Sequence, residues 1–238
     1  MCDLLVFLLS VRLLFPAAVC VAMAFASARA VALDVPFTEQ FLSGSAGWVE
    51  GTTNAPAWYS TGGAAGGSYI SGSATIDTNG FGPIVFRGNN ANNASDDAFV
   101  GNWLAGGVTL FTAFVRHNAP TNLFFYVRLD RGMGNAASSN PLEVAPNTWS
   151  QLAIPITNSL GTNGVFQSYG AAGTNFNAVF TNIQNVQIAL SSGQNGATIG
   201  QTYTIDFDQP AIVPEPSTWA LMLFALATLT SLGLRRRF

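Results

Sequence analysis

Between residues 34 and 212 the sequence alternates in steps of two. In 123–129, Leu123, Phe125, Val127 and Leu129 fall on one phase and Phe124, Tyr126 and Arg128 on the other. That is the pattern of a strand with one face against a core. The same phase puts Leu152, Ile154 and Ile156 on one face of 150–156, and Tyr203, Ile205 and Phe207 on one face of 202–207. Helical periodicity is hard to find in this region, and Gly/Asn/Ser clusters separate the runs. Eight strands are predicted, at 37–41, 68–74, 84–87, 108–117, 123–129, 149–156, 186–190 and 202–207. The chain is therefore expected to be all-β, an antiparallel β-sandwich. Polar loops at 89–97, 132–141 and 161–177 are where such a sandwich keeps its function.

The two ends follow a different logic. Residues 217–234 carry no charge and, as a helix, reach about 27 Å, enough for the thin end of a bilayer core. Trp219 would sit at the head-group level, and Arg235, Arg236 and Arg237 would stay on the cytoplasmic side. Pro214 and Pro216 fix φ and remove two backbone donors, so the stretch around Glu215 is expected to be extended and accessible. At the other end, residues 1–30 read as a secretory signal peptide with small-residue sites at Ala26-Ser27-Ala28 and Ala28-Arg29-Ala30. Asp3 precedes Arg12, so translation from Val11 is an alternative to Met1. The division is signal peptide 1–30, β-sandwich ectodomain 31–212, and C-terminal segment 213–238 with motif 213–216, transmembrane helix 217–234 and basic tail 235–238.

Composition bounds the chemistry. The only cysteines, Cys2 and Cys20, lie in the removable leader, so the mature domain has no disulfide, thiol nucleophile or cysteine metal site. Residues 31–212 hold ten acids against four arginines (Arg87, Arg116, Arg128 and Arg131) and no lysine. A net charge near −6 is a poor match for nucleic acid, whose binding needs clustered positive charge.

The C-terminal residues resemble a known family. Val213-Pro214-Glu215-Pro216-Ser217, an apolar span and a terminal arginine cluster are similar to the PEP-CTERM sorting signal of bacterial surface proteins. The resemblance covers residues 213–238 and implies an exosortase as partner. It also implies an inner-membrane-tethered intermediate, and then the cell surface or extracellular matrix of a Gram-negative bacterium making extracellular polysaccharide.

A second resemblance spans most of 37–212. The early Glu-Gln-Phe, Trp48, Trp58-Tyr59, Gly66-Gly67-Ser68-Tyr69-Ile70, Trp149-Ser150-Gln151-Leu152 and Tyr203-Thr204-Ile205-Asp206 are together similar to galactose-binding-type and laminin B-type jelly rolls. That resemblance implies a jelly-roll sandwich and a non-catalytic carbohydrate-binding role. It also implies a structural calcium joining first strand to last, with Glu39 and Asp206 as ligands and Asp208 in reserve.

No residue is assigned a catalytic role. His117 is the only histidine, no Gly-x-Ser-x-Gly nucleophile motif occurs, and the adjacent Asp96 and Asp97 would point apart in an extended segment. Sugar recognition needs aromatic platforms and planar polar groups, for which Tyr126, Arg128, Trp58, Tyr59 and Trp103 are the candidates. The expected function is a sorted surface or matrix protein with a non-enzymatic binding or structural module associated with extracellular polysaccharide. The alternative is a secreted polysaccharide-active hydrolase held by the same signal.

Overall fold

The computed structural model describes residues 33–77, 82–132, 135–158, 166–170, 175–191 and 199–215. The expected signal peptide, Pro216, Trp219, the apolar run 217–234 and Arg235 to Arg237 lie outside these residues. Among the described residues no helix is long and apolar enough to cross a membrane. The helical content described is the one-turn helix Phe176–Phe180 and two 3-10 turns at Asn90–Asn92 and Ala94–Asp97.

The described strands are β1 (Phe37–Thr38), β2 (Val49–Glu50), β3 (Ala57–Tyr59), β4 (Tyr69–Thr75), β5 (Ile84–Asn89), β6 (Val108–His117), β7 (Leu123–Asp130), β8 (Asn135–Ser139), β9 (Leu142–Val144), β10 (Ser150–Pro155), β11 (Phe166–Gly170), β12 (Asn185–Leu190) and β13 (Thr202–Pro214). They form two antiparallel sheets, one ordered β10-β6-β13-β4-β3 with β1 also on β13, the other β11-β8-β7-β12-β5-β2 with β9 also on β7. Consecutive long strands β6 and β7 lie in different sheets, so the chain crosses the sandwich between them.

All eight expected strands are present. The additional ones, β2, β3, β8, β9 and β11, are two to five residues long, and β8 (Asn-Ala-Ala-Ser-Ser) has no apolar alternation to betray it.

The alternation of the long strands decides what is inside. Phe111, Ala113 and Val115 of β6, and Leu123, Phe125, Val127 and Leu129 of β7, are all fully buried. An aromatic cluster fills the core between the sheets, with Phe207 5.1 Å from Trp48 and stacked 5.2 Å from Phe86. Trp48 lies flat on β5 because position 88 is glycine; a Cβ there would stand 2.7 Å from the indole. Its Nε1–H donates to Ser95 Oγ at 2.9 Å, which satisfies the one polar atom of a fully buried ring.

β13 is the longest strand and runs through the centre of its sheet. It pairs with β4 as far as Phe207, bulges at Gln209 (φ 48°), and then pairs with β1 through Ala211 and Ile212. It also outruns its expected end at Phe207. Ile212, Val213 and Pro214 stay registered against Phe111, Leu110 and Val108 of β6, and the Glu215 N–H donates to Gly107 O at 3.0 Å. Pro214 is tolerated because it closes the strand, where a missing donor costs least.

Candidate functional site

The seven-stranded sheet carries a polar row on its outer face. Register places Val49, Arg87, Gln187, Arg128, Ser138 and Gln167 side by side across β2, β5, β12, β7, β8 and β11. Residues directly opposite in antiparallel pairs share a face, so five polar side chains lie in one line. The flanking row on one side holds Asn89, Asn185 and Asp130, and on the other Ala189 sits opposite Tyr126.

This face has a buried floor. Gln187 is 1%, Ser138 6% and Tyr126 7% exposed, with Arg87 and Arg128 half-buried around them. Several of its polar atoms are buried without a hydrogen-bond partner: Arg87 Nε, Gln187 Oε1, Ser138 Oγ and Asn185 Oδ1. Buried polar groups in folded proteins are almost always paired, and exceptions gathered in one place mark a position for water or ligand. Burial lowers the Arg87 pKa, Arg128 lowers it further by like-charge repulsion, and Asp130 opposes both. Burial raises the Tyr126 pKa, against the pull of Arg128.

The opposite face, on the other sheet, is built as a closed cluster. Arg116 Nε and Nη2 donate to Asp206 Oδ2 at 2.8 and 2.7 Å. The guanidinium lies 4.6 Å from the Trp149 ring and 5.3 Å from the Tyr69 ring, and Tyr69 meets Trp149 edge-on at 5.6 Å. The Trp149 Nε1–H donates to Gly62 O, and the Ala64 N–H donates to Asp208 Oδ2 at 2.8 Å, so the 62–68 turn is tied down over the sheet. Beneath it Asp208 is fully buried, its Oδ1 has no partner, and burial raises its pKa.

The residues expected to bind ligand are distributed among three environments. Tyr126 and Arg128 belong to the polar face. Tyr59, 47% exposed, stacks on Tyr69 at 4.9 Å at the β3 edge of the other sheet, and Trp58 beside it donates its Nε1–H to Phe41 O at 2.6 Å. Trp103 is a correction. It is fully buried, stacked on Phe111 at 6.2 Å, with its Nε1–H on Phe99 O, and so belongs to the core.

His117 closes β6 and has a hydrogen-bonding role. It is 1% exposed, its Nε2–H donates to Val144 O at 3.0 Å, and burial lowers its pKa. The expected calcium ligands are committed elsewhere: Asp206 to Arg116, and Glu39 Oε1 to the Phe41 N–H at 2.7 Å. Among the described residues no group of three His, Cys, Asp or Glu side chains gathers.

Arg87, Gln187, Ser138 and Asn185 were not singled out from sequence. Their signal is a polar residue set inside an apolar run, as in Val85-Phe86-Arg87 and Val186-Gln187-Ile188.

Residues 213–237 match the family model of the PEP-CTERM protein-sorting motif. The C-terminus carries a PEP-CTERM motif. Its first residues are not free: Val213 and Pro214 are the end of β13, and Glu215 is held by Gly107 O. The stretch is extended and sheet-bonded through Pro214 and the Glu215 N–H, and Glu215 itself is exposed.

Among solved structures the chain is similar to the family 11 carbohydrate-binding module of the cellulosomal cellulase Lic26A-Cel5E of Clostridium thermocellum, at 12% identity over 75% of this chain and 94% of that one, with a TM-score of 0.46. It is also similar to the N-terminal cellulose-binding domain of Cellulomonas fimi β-1,4-glucanase C (15% identity, 78% and 98% covered, TM-score 0.33). An exo-β-agarase matches at 9% identity over 68% of this chain with a TM-score of 0.44, and the chain spans 23% of that enzyme's length. No curated protein matches the chain.

Proposed function

We propose that this is an exported protein, processed by an exosortase at its PEP-CTERM motif, whose β-sandwich binds extracellular polysaccharide without chemical turnover. The apolar run 217–234 acts as a temporary membrane span, with Trp219 at the head groups and Arg235, Arg236 and Arg237 inside. The domain is then displayed at the cell surface or in the extracellular matrix of a Gram-negative bacterium.

The observation that carries the binding reading is the row Arg87–Gln187–Arg128–Ser138 on the buried floor of one sheet, with unpaired polar atoms on three of those residues. A sugar presents hydroxyls that donate and accept along a flat ring, which matches a line of amide, hydroxyl and guanidinium groups. His117, the only histidine, is enclosed in the core, which favours binding over histidine-based hydrolysis.

The test is retention of the purified protein on a panel of immobilised glycans. Retention on at least one glycan, lost in Gln187→Ala, Tyr126→Ala and Arg128→Ala, is the expected result. Absence of retention across the panel, or retention indifferent to all three changes, refutes the reading. For sorting, deletion of the exosortase is expected to leave full-length chain in the membrane fraction; normal processing without it would refute that part.

A further inference from the structure

The end of the sandwich where β13 stops is tightly built. Pro214 is registered against Val108, and the Glu215 N–H donates to Gly107 O at 3.0 Å. Gly107 closes a turn over 102–107. Its N–H donates to Leu104 O, the Gly106 N–H to Asn102 O, the Val108 N–H to Trp103 O, and the Ala105 N–H to Asn102 Oδ1 at 2.9 Å. The fully buried Trp103, with its Nε1–H on Phe99 O, pins the turn to the core. The backbone at Glu215 is therefore fixed relative to the domain.

The surface here differs from the rest of an acidic domain. No charged residue lies between Asp97 and Arg116. Asn102, Ala105 and Gly107 are exposed and Leu104 is half-buried. Leu33 packs on the turn, where a Cβ at Gly106 would stand 2.9 Å from the leucine Cδ2. The acids adjoining these residues in sequence are Asp34, beside Leu33, and Glu215. Asp208 and Asp206 sit roughly 20 and 26 Å back from Pro214 along β13, at a rise of about 3.3 Å per residue.

Resting on the reading of 217–234 as a membrane span, we propose that this end of the sandwich is a lipid-facing surface: in the tethered protein the 102–107 turn and Leu33 lie in the head-group layer. As a helix the span reaches about 27 Å against a hydrocarbon core of about 30 Å, so none of it is left over to serve as a stalk. Its first residue, Ser217, stands at the hydrocarbon boundary, and the two residues back to Glu215 extend at most about 7 Å. The head-group layer is about 5–7 Å deep on each side. Glu215 is thus held at that layer, and Gly107, one hydrogen bond away, is held there with it. A turn of glycine, alanine, leucine and amide groups enters the layer without desolvating a charge, whereas the acidic remainder of the domain is repelled by anionic lipid. Strand β13 then leads away from the membrane, with Thr202 about 40 Å along the strand from Pro214.

The experiment uses the full chain carrying Cys2→Ser and Cys20→Ser, reconstituted in phosphatidylcholine vesicles that contain a head-group nitroxide lipid as quencher. A fluorophore is attached through Ala105→Cys or, as the distant reference, Thr202→Cys; both positions are exposed. Emission from position 105 is expected to be largely lost and emission from position 202 retained. A ten-residue Gly/Ser insertion between Glu215 and Pro216 supplies a coil reaching about 16–19 Å. Emission restored at position 105 by the insertion assigns the contact to the short connection, and quenching that persists assigns it to the turn's own affinity; both support the surface. Quenching at neither position, or equal quenching at both, in chain that pellets with the vesicles overturns the proposal and leaves the span intact. Chain that stays out of the vesicle fraction overturns the span reading together with it.

Discussion

Replacing Arg116 by methionine should cost the domain about 3 kcal/mol. The side chain makes two charge-assisted bonds to Asp206 Oδ2, at 2.8 and 2.7 Å, with side-chain exposures of 28% and 13%. Hydrogen bonds to charged groups contribute roughly 1.5–3 kcal/mol when buried; the exposed share of the guanidinium screens them, so about 2 kcal/mol for the pair is a fair figure. Its position 4.6 Å from Trp149 and 5.3 Å from Tyr69 adds about 0.5–1 kcal/mol at the better contact. Methionine keeps much of the volume but leaves Asp206 as a lone carboxylate under the aromatic rings. At this size a change of about 3 kcal/mol lowers Tm by roughly 6–12 °C. Thermal unfolding of Arg116→Met, Asp206→Asn and the double variant forms a cycle, and the double variant should recover part of the loss because no charge is left unpaired. A Tm within about 2 °C of the parent, or additive losses, would refute the view that this pair and its aromatic cover act as one unit.

Two further changes test the packing. Asp208 is buried with Oδ1 unpaired and its folded-state pKa is raised, so the folded state holds its proton more firmly than the unfolded chain does. The contribution of this group to stability therefore falls as pH rises from the ordinary carboxylate range through the folded pKa. Asp208→Asn, which retains an acceptor for the Ala64 N–H, should raise stability at neutral pH by about 1 kcal/mol, and the gain should shrink as the pH is lowered; a pH-independent difference in urea midpoint would contradict this. Gly88→Ala places a methyl 2.7 Å from the Trp48 ring and should destabilise by about 1–3 kcal/mol, seen as a lower urea midpoint and a shift in tryptophan emission.

The long strands were legible because one physical rule governs them: a sheet with one buried face writes its alternation into the sequence. Residues 123–129 and 150–156 show both the strand and its inward set. Short strands such as β3 and β8 carry no such record, since two or three residues do not define a period and β8 has only small side chains. Trp103 shows a different limit. Its neighbours Gly101, Asn102, Gly106 and Gly107 read as a loop, yet the loop folds inward and the indole joins the core through non-local contacts with Phe111 and Phe180. The polar face was half legible. Tyr126 and Arg128 stand out on the phase of β7 that faces away from the core between the sheets, but their neighbours Gln187 and Arg87 come from strands roughly 60 residues later and 40 earlier, and only register brings them together.

Strand β13 joins the two themes of the molecule. It sits between β6 and β4, so it is the element whose loss would open the sheet, and its last ladder residues, Val213 and Pro214, are also the first of the PEP-CTERM motif. A flexible linker between domain and motif would let the two behave independently; here the ladder continues up to the Glu215 N–H without one. A cut after Glu215 leaves every pair of β13 in place, whereas a cut before Val213 removes the Val213–Leu110 pairing and frees the end of the strand. The sandwich therefore reaches into the motif as far as Glu215, whose N–H donates to Gly107 O.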